Sequence, residues 1–186
     1  MKFALVWITN INIFIHSFDY KCMEKIRIII TGGTIDKEYK QPTDQLIFTR
    51  SHIPEMLMQS RITADVVTEE VMLIDSLDMV EKDRQQILFA CQQSPEKRII
   101  ITHGTDTMVE TAKVLAGANV KDKCIVLLGA MVPFTFKNSD ALFNFGTAFA
   151  AVQTLTYGVF ITMNGRIFNW DKVRKNLEKG EFEEVI

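Results

Sequence analysis

Four short, unbroken apolar runs recur along the chain, at residues 26–30 (IRIII), 98–102 (RIIIT), 124–130 (CIVLLGA) and 158–162 (GVFIT). Each is flanked by turn or capping residues and is too short for a helix. Such runs fit strands buried on both faces, as in a parallel sheet. Segments with helical spacing lie between them. Residues 51–59 open on a serine with Pro54 close behind, 82–93 place Ile87, Leu88 and Cys91 on one face, and 108–117 repeat Met108, Ala112 and Leu115 before a glycine. Residues 140–154 are apolar almost all round, which predicts a helix wedged between other elements. Residues 63–73 (TADVVTEEVML) read as one strand or two. The alternation predicts an α/β fold: a three-layer sandwich with a mostly parallel sheet, Rossmann-like or flavodoxin-like, with right-handed crossovers. With no internal repeat or long linker, residues 23–186 read as one domain.

Residues 1–22 stand apart from this pattern. They carry one basic residue, Lys2, and an apolar stretch interrupted by Thr9, Asn10 and Asn12. The stretch is too short to span a bilayer and lacks a small-residue cleavage site. It reads as a dispensable extension ahead of a true start at Met23, with a weak secretory signal as the alternative. The 47% hydrophobic and 24% charged content is that of a globular protein, and a net charge of -2 argues for neither nucleic acid nor a membrane surface as partner. Three widely spaced cysteines, Cys22, Cys91 and Cys124, form no CxxC pair, which points away from a zinc site or disulfide framework and towards a reducing, cytoplasmic compartment.

Two of the predicted strands break into threonine turns, Thr31-Gly32-Gly33-Thr34 and His103-Gly104-Thr105-Asp106-Thr107. In open parallel sheets ligands bind outside the carboxyl ends of the strands, so both turns can face one crevice. Gly32 and Gly33 let a ligand approach the main chain and present the Thr34 hydroxyl; a plain capping threonine in a tight turn is the simpler alternative. Thr107 and Glu110 have capping-box spacing and predict a helix start, which puts Thr105 and Asp106 where free N–H groups favour negative charge. A hydroxyl beside an acid at such a place suits amide hydrolysis. A hydroxyl nucleophile also needs a base. His103, at a strand end, reads as structural, and spacing alone does not choose among the lysines.

TGGTI together with THGTDTM resembles the paired signature of the bacterial-type L-asparaginase/glutaminase family, and the likeness continues through DSLDM, LLGAMVP and VRKN. It covers most of the chain after Met23 and is to the N-terminal domain, in its short stand-alone form. The resemblance implies Thr34 as nucleophile and Thr105, Asp106 and Lys175 as a second hydroxyl–acid–lysine cluster. It implies substrate contacts from Gly33, Ser76, Leu77, Ala130 and Asp106, with Ser76 on the α-carboxylate and Asp106 on the α-amino group. Without it, Ser76 reads as a helix cap and Lys175 as a solvated lysine. No metal or organic cofactor is implied, and a homodimer or larger assembly is.

The chain also departs from the family pattern. Leu46 falls where members carry an aromatic residue, often tyrosine, in a mobile loop, while Tyr39 lies earlier and Phe48 has no hydroxyl. Leu77 replaces a glutamine. The C-terminal domain, which in larger members lends an acidic residue to a neighbouring subunit, is not expected within 186 residues. These departures leave a non-catalytic module binding a small amino acid or dicarboxylate as the second reading. A dinucleotide site ranks below both, since TGGTID lacks the third glycine of that fingerprint.

Overall fold

The structure is a computed structural model that describes residues 24–118, 120 and 122–185; the expectation for residues 1–22 lies outside them. In chain order the elements are β1 (Ile26–Gly32), β2 (Lys37–Lys40), β3 (Gln45–Phe48), α1 (Ile53–Gln59), β4 (Val66–Ile74), α2 (Glu81–Gln93), β5 (Arg98–Thr102), α3 (Met108–Gly117), β6 (Cys124–Leu128), α4 (Ala141–Thr154), β7 (Gly158–Met163), β8 (Arg166–Asn169), β9 (Val173–Asn176) and β10 (Glu181–Glu184). Six strands form the main sheet in the order β4-β1-β5-β6-β7-β8. The first five are parallel and β8 is antiparallel. Residues 66–74 are one strand, which settles the ambiguity of that segment.

Strand periodicity divides the apolar runs between two cores. Ile26, Ile28, Ile30, Ile100, Val126 and Leu128 face α1 and α4. Ile29, Ile99, Ile101, Ile125 and Leu127 face α2 and α3. The sheet is therefore the middle of three layers, as the sequence predicts, and its parallel strands follow the flavodoxin-like order.

Three expectations need correcting. The β1-α1-β4, β4-α2-β5 and β5-α3-β6 connections share one hand, taken as the right-handed form that about 98% of such units adopt. The β6-α4-β7 connection moves in the same direction as β5-α3-β6, but its helix lies on the opposite face, so its hand is reversed. The reason lies in coverage: α1 has only seven residues and leaves most of its face of the sheet open, and α4 fills it. Secondly, α4 is not wedged between elements. Its Phe145, Ala148 and Val152 face is buried, while Phe143 is 64% exposed on the other side. Thirdly, helix α3 starts where expected but without a capping box. The Thr107 hydroxyl instead donates to the Ser76 carbonyl at 2.8 Å, and Glu110 pairs with Arg84 at 2.8 Å.

Candidate active site

Chain order reverses at β1, with β4 on one side and β5 on the other, and the two threonine turns meet beside that point. Gly33 adopts φ 83°, a left-handed conformation that favours glycine, and its N–H donates to the Ile74 carbonyl at 3.0 Å. A Cβ on Gly33 would sit 2.3 Å from the Gly104 nitrogen, and one on Gly104 would sit 2.4 Å from Ser76 Oγ. The ends of β1, β4 and β5 thus touch through bare backbone, and Thr34 opens a single 3-10 turn, Thr34–Asp36, half-buried at this junction.

Strand β9 brings Lys175 in from seventy residues away. Its Nζ donates to Thr105 Oγ1 at 2.8 Å and to Asp106 Oδ1 at 2.7 Å. Thr105 is buried and Asp106 is exposed, so the cluster stands at the crevice surface. Because Thr105 Oγ1 accepts from Lys175, its own proton is free to point elsewhere. His103 holds the turn from behind. It is fully buried, its Nδ1 lies 2.7 Å from the Gly104 carbonyl and its Nε2 lies 2.8 Å from Thr111 Oγ1. A carbonyl can only accept, so Nδ1 carries the proton and Nε2 accepts from the threonine. Burial pushes this imidazole down to about 4, which keeps it neutral and structural.

Ser76 does not cap α2, whose N-cap is Val80. It is buried beside Gly104, and its Oγ has no hydrogen-bond partner within the described residues. Unpaired buried hydroxyls are costly, which makes this one a candidate for contact with a polar ligand atom. Ala130 is fully buried just past the end of β6, and Leu77 is 71% exposed beside Ser76. Asp75 accepts from Lys37 Nζ and, at 2.9 Å, from the Leu77 N–H. Burial would raise the Asp75 pKa, but the bonds from Lys37 and the Leu77 N–H, helped by the charges of Lys37 and Lys175, outweigh it and hold the carboxyl below its usual value.

Sequence reasoning did not single out Lys37, Asp75, Asp36 or His52. Asp36 follows Thr34 by two residues, is 0% exposed, and takes hydrogen bonds on Oδ1 from the His52 N–H (2.7 Å) and Ser51 Oγ (3.0 Å). Burial pushes its carboxyl up to about 6, against the lowering effect of those two bonds. His52 is 2% exposed, and neither its ring nitrogens nor Asp36 Oδ2 has a partner among the described residues. The only signal in the sequence is the bare proximity of Asp36 to Thr34.

The segment holding Leu46 is a hairpin, β2–β3, in which Leu46 lies directly opposite Tyr39, whose hydroxyl bonds Asp44. A phenol therefore stands one cross-strand step from Leu46. One concavity of about 330 Å³, lined by Lys97, Arg98, Asp122, Cys124 and Tyr157 among others, opens at the amino ends of the strands, away from these residues. Among the described residues no group of three or more His, Cys, Asp or Glu is placed to hold a metal ion, and no helix is long and apolar enough to cross a membrane.

Comparison with known proteins accords with this geometry. The chain is 28% identical over 162 residues to a glutaminase-asparaginase of Acinetobacter glutaminasificans, covering 81% of this chain and 49% of that one. It is 31% identical over 166 residues to a probable periplasmic L-asparaginase of Haemophilus influenzae, covering 82% of this chain and 46% of the relative. The structure of a probable cytoplasmic L-asparaginase from Campylobacter jejuni superposes with a TM-score of 0.72 at 31% identity, over 87% of this chain and 53% of that one. The chain thus spans about half the length of the curated relatives it matches. Residues 25–180 fit the family model described as "Asparaginase, N-terminal", a match that takes in both threonine turns and Lys175, and the chain belongs to that family.

Proposed function

We propose that the chain is an L-asparaginase-like amidohydrolase that converts the side-chain amide of asparagine, or a similar small amide, to the acid and ammonia. The observation that carries this reading is the placement of Lys175 Nζ on both Thr105 and Asp106, beside the turn that presents Thr34. The Thr34 oxygen attacks the amide carbon and gives up its proton towards the Thr105–Lys175 pair. The carbon–nitrogen bond then breaks, the nitrogen leaves as ammonia with a proton returned from that pair, and an acyl ester remains on Thr34. Water hydrolyses the ester, and no cofactor is required. Ser76 Oγ, buried and without a partner among the described residues, donates to the substrate α-carboxylate. Asp106 takes the α-amino group, and Gly33, Leu77 and Ala130 complete the contacts.

The second reading, a non-catalytic module for a small amino acid or dicarboxylate, draws on Leu46, which offers no hydroxyl. Ammonia release from asparagine and glutamine, measured beside aspartate binding, separates the two. Turnover by the wild type with none by a folded Thr34→Ala variant supports the enzyme; aspartate binding without turnover supports the module. The same reading includes a homodimer or larger assembly, supported by exposed Leu77, Val80 and Leu177 close to Ser76 and Lys175 in the chain and measurable by sedimentation. It also includes a cytoplasmic location, supported by the free, buried Cys91 and Cys124 and testable by fractionation.

A further inference from the structure

We propose that Asp36 is a positioning residue for the Thr34 turn: its ionised carboxylate clamps that turn to the residues that start α1, and protonation loosens the clamp. The proposal rests on the reading of Thr34 as nucleophile. Its basis is a cluster of buried polar groups that the reaction does not use. Asp36 Oδ1 holds the His52 N–H and the Ser51 hydroxyl, which precede α1, so a single oxygen ties the 3-10 turn to the helix. The Asp36 N–H closes the turn onto the Gly33 carbonyl at 3.1 Å, and the Ile35 carbonyl, two residues along, accepts from the Phe134 N–H at 3.3 Å. Phe134 in turn packs on the His52 ring at 5.8 Å.

The rest of the cluster is unsatisfied. Asp36 Oδ2 and both His52 ring nitrogens lack partners among the described residues, although the two residues are joined through the His52 backbone N–H. A buried carboxylate with one bare oxygen is an expensive way to fix a turn, because an amide side chain offers an acceptor of the same shape without the charge. What the carboxylate adds is strength, since a bond accepted by a charged oxygen is roughly twice that of a neutral one. The charged and titratable groups around the pair are Glu70 on β4, which opposes ionisation of Asp36, and Glu38 on β2 and Glu55 on α1, each 3.7 Å from a His52 ring nitrogen. Burial sets the midpoint of Asp36 near 6, so the clamp tightens between mildly acidic and neutral pH.

Backbone amide NMR from pH 4.5 to 8, run beside ammonia release from asparagine, tests this in the wild type, Asp36→Asn and Ser51→Ala. In the wild type the Gly33, Thr34 and His52 amides should titrate together with a midpoint near 6. In Asp36→Asn that titration should vanish, and kcat should fall about tenfold to a hundredfold at pH 7.5 with KM changed less than about twofold, the size of effect that slight misplacement of a reacting group produces. Ser51→Ala keeps the charge but removes one bond to it, so the midpoint should move up; it carries the test should Asp36→Asn fail to fold. Thr34 amides that do not titrate, or a titration unchanged in either variant, would overturn the proposal. A wild type with no turnover at any pH would remove the hydrolase reading and leave the amide titration to decide whether Asp36 holds the turn.

Discussion

The molecule contains two buried histidines in its site region, and they are opposites. His103, behind the second turn, has both ring nitrogens hydrogen-bonded and stays neutral. His52, behind the first turn, has neither ring nitrogen satisfied among the described residues and sits against a buried aspartate whose carboxyl is pushed up to about 6. A satisfied polar network fixes its surroundings, whereas an unsatisfied one stores a cost that local rearrangement can relieve. The second turn is therefore a rigid platform for the Thr105–Asp106–Lys175 cluster. The first, which carries Thr34, is the more easily displaced half of the crevice.

The contrast can be broken most severely at the rigid half. Lys175→Ala should lower turnover about a hundredfold to a thousandfold, the usual scale for losing a positioned catalytic donor. Lys172→Ala, at an exposed position nearby, should change it by less than about threefold. Equal losses in steady-state assays would mean that the basic segment acts as a general field. His103→Ala should next cost about 2–4 kcal/mol in chemical denaturation, because it leaves a cavity and strands the Gly104 carbonyl and Thr111 hydroxyl. A cost well under 1 kcal/mol would show that the platform does not depend on it.

The smallest effect is the most discriminating. Asp36 has a raised folded pKa, so its favourable contribution is present below the unfolded value near 4 and is lost as pH rises through about 6. His103 has a lowered folded pKa, so its contribution is present above about 6.5 and is lost as pH falls towards 4. The two slopes oppose each other across the same window. Asp36→Asn removes one of them, so its stability relative to wild type should grow by about 1–3 kcal/mol between pH 4 and 7. Urea denaturation at several pH values checks this, and a pH-independent difference would place the buried charge elsewhere.

What the sequence revealed follows from how far each signal reaches along the chain. The parallel strands were legible because burial on both faces leaves unbroken runs such as IRIII and RIIIT. The helices were legible from one apolar face, though α4 misled because its exposed side carries Phe143. The reversed crossover was hidden, since it follows from the shortness of α1 and the need to cover a sheet face. Hairpin β2–β3 and strands β8 to β10 are four-residue elements with mixed polarity and leave almost no periodic trace. Thr34, Thr105 and Asp106 stood out from the two threonine turns, whereas Ser76, Leu77, Ala130 and Lys175 came only through the family resemblance. Asp36 and His52 stayed hidden because their meaning lies in what surrounds them in three dimensions.

The bond between Lys175 and Thr105 spans seventy residues and lies on a strand that follows all six of the main sheet. It sets an order of assembly during synthesis. Thr34 leaves the ribosome 141 residues ahead of Lys175 (175 − 34), roughly 7–28 seconds earlier at ordinary elongation rates. Throughout that interval the nascent chain presents a glycine–threonine turn without the lysine that completes its crevice. On the proposed mechanism, ammonia release would report on translation through β9 as much as on folding of the sheet, and a chain stalled short of Lys175 would lack the lysine of the Thr105–Asp106 cluster.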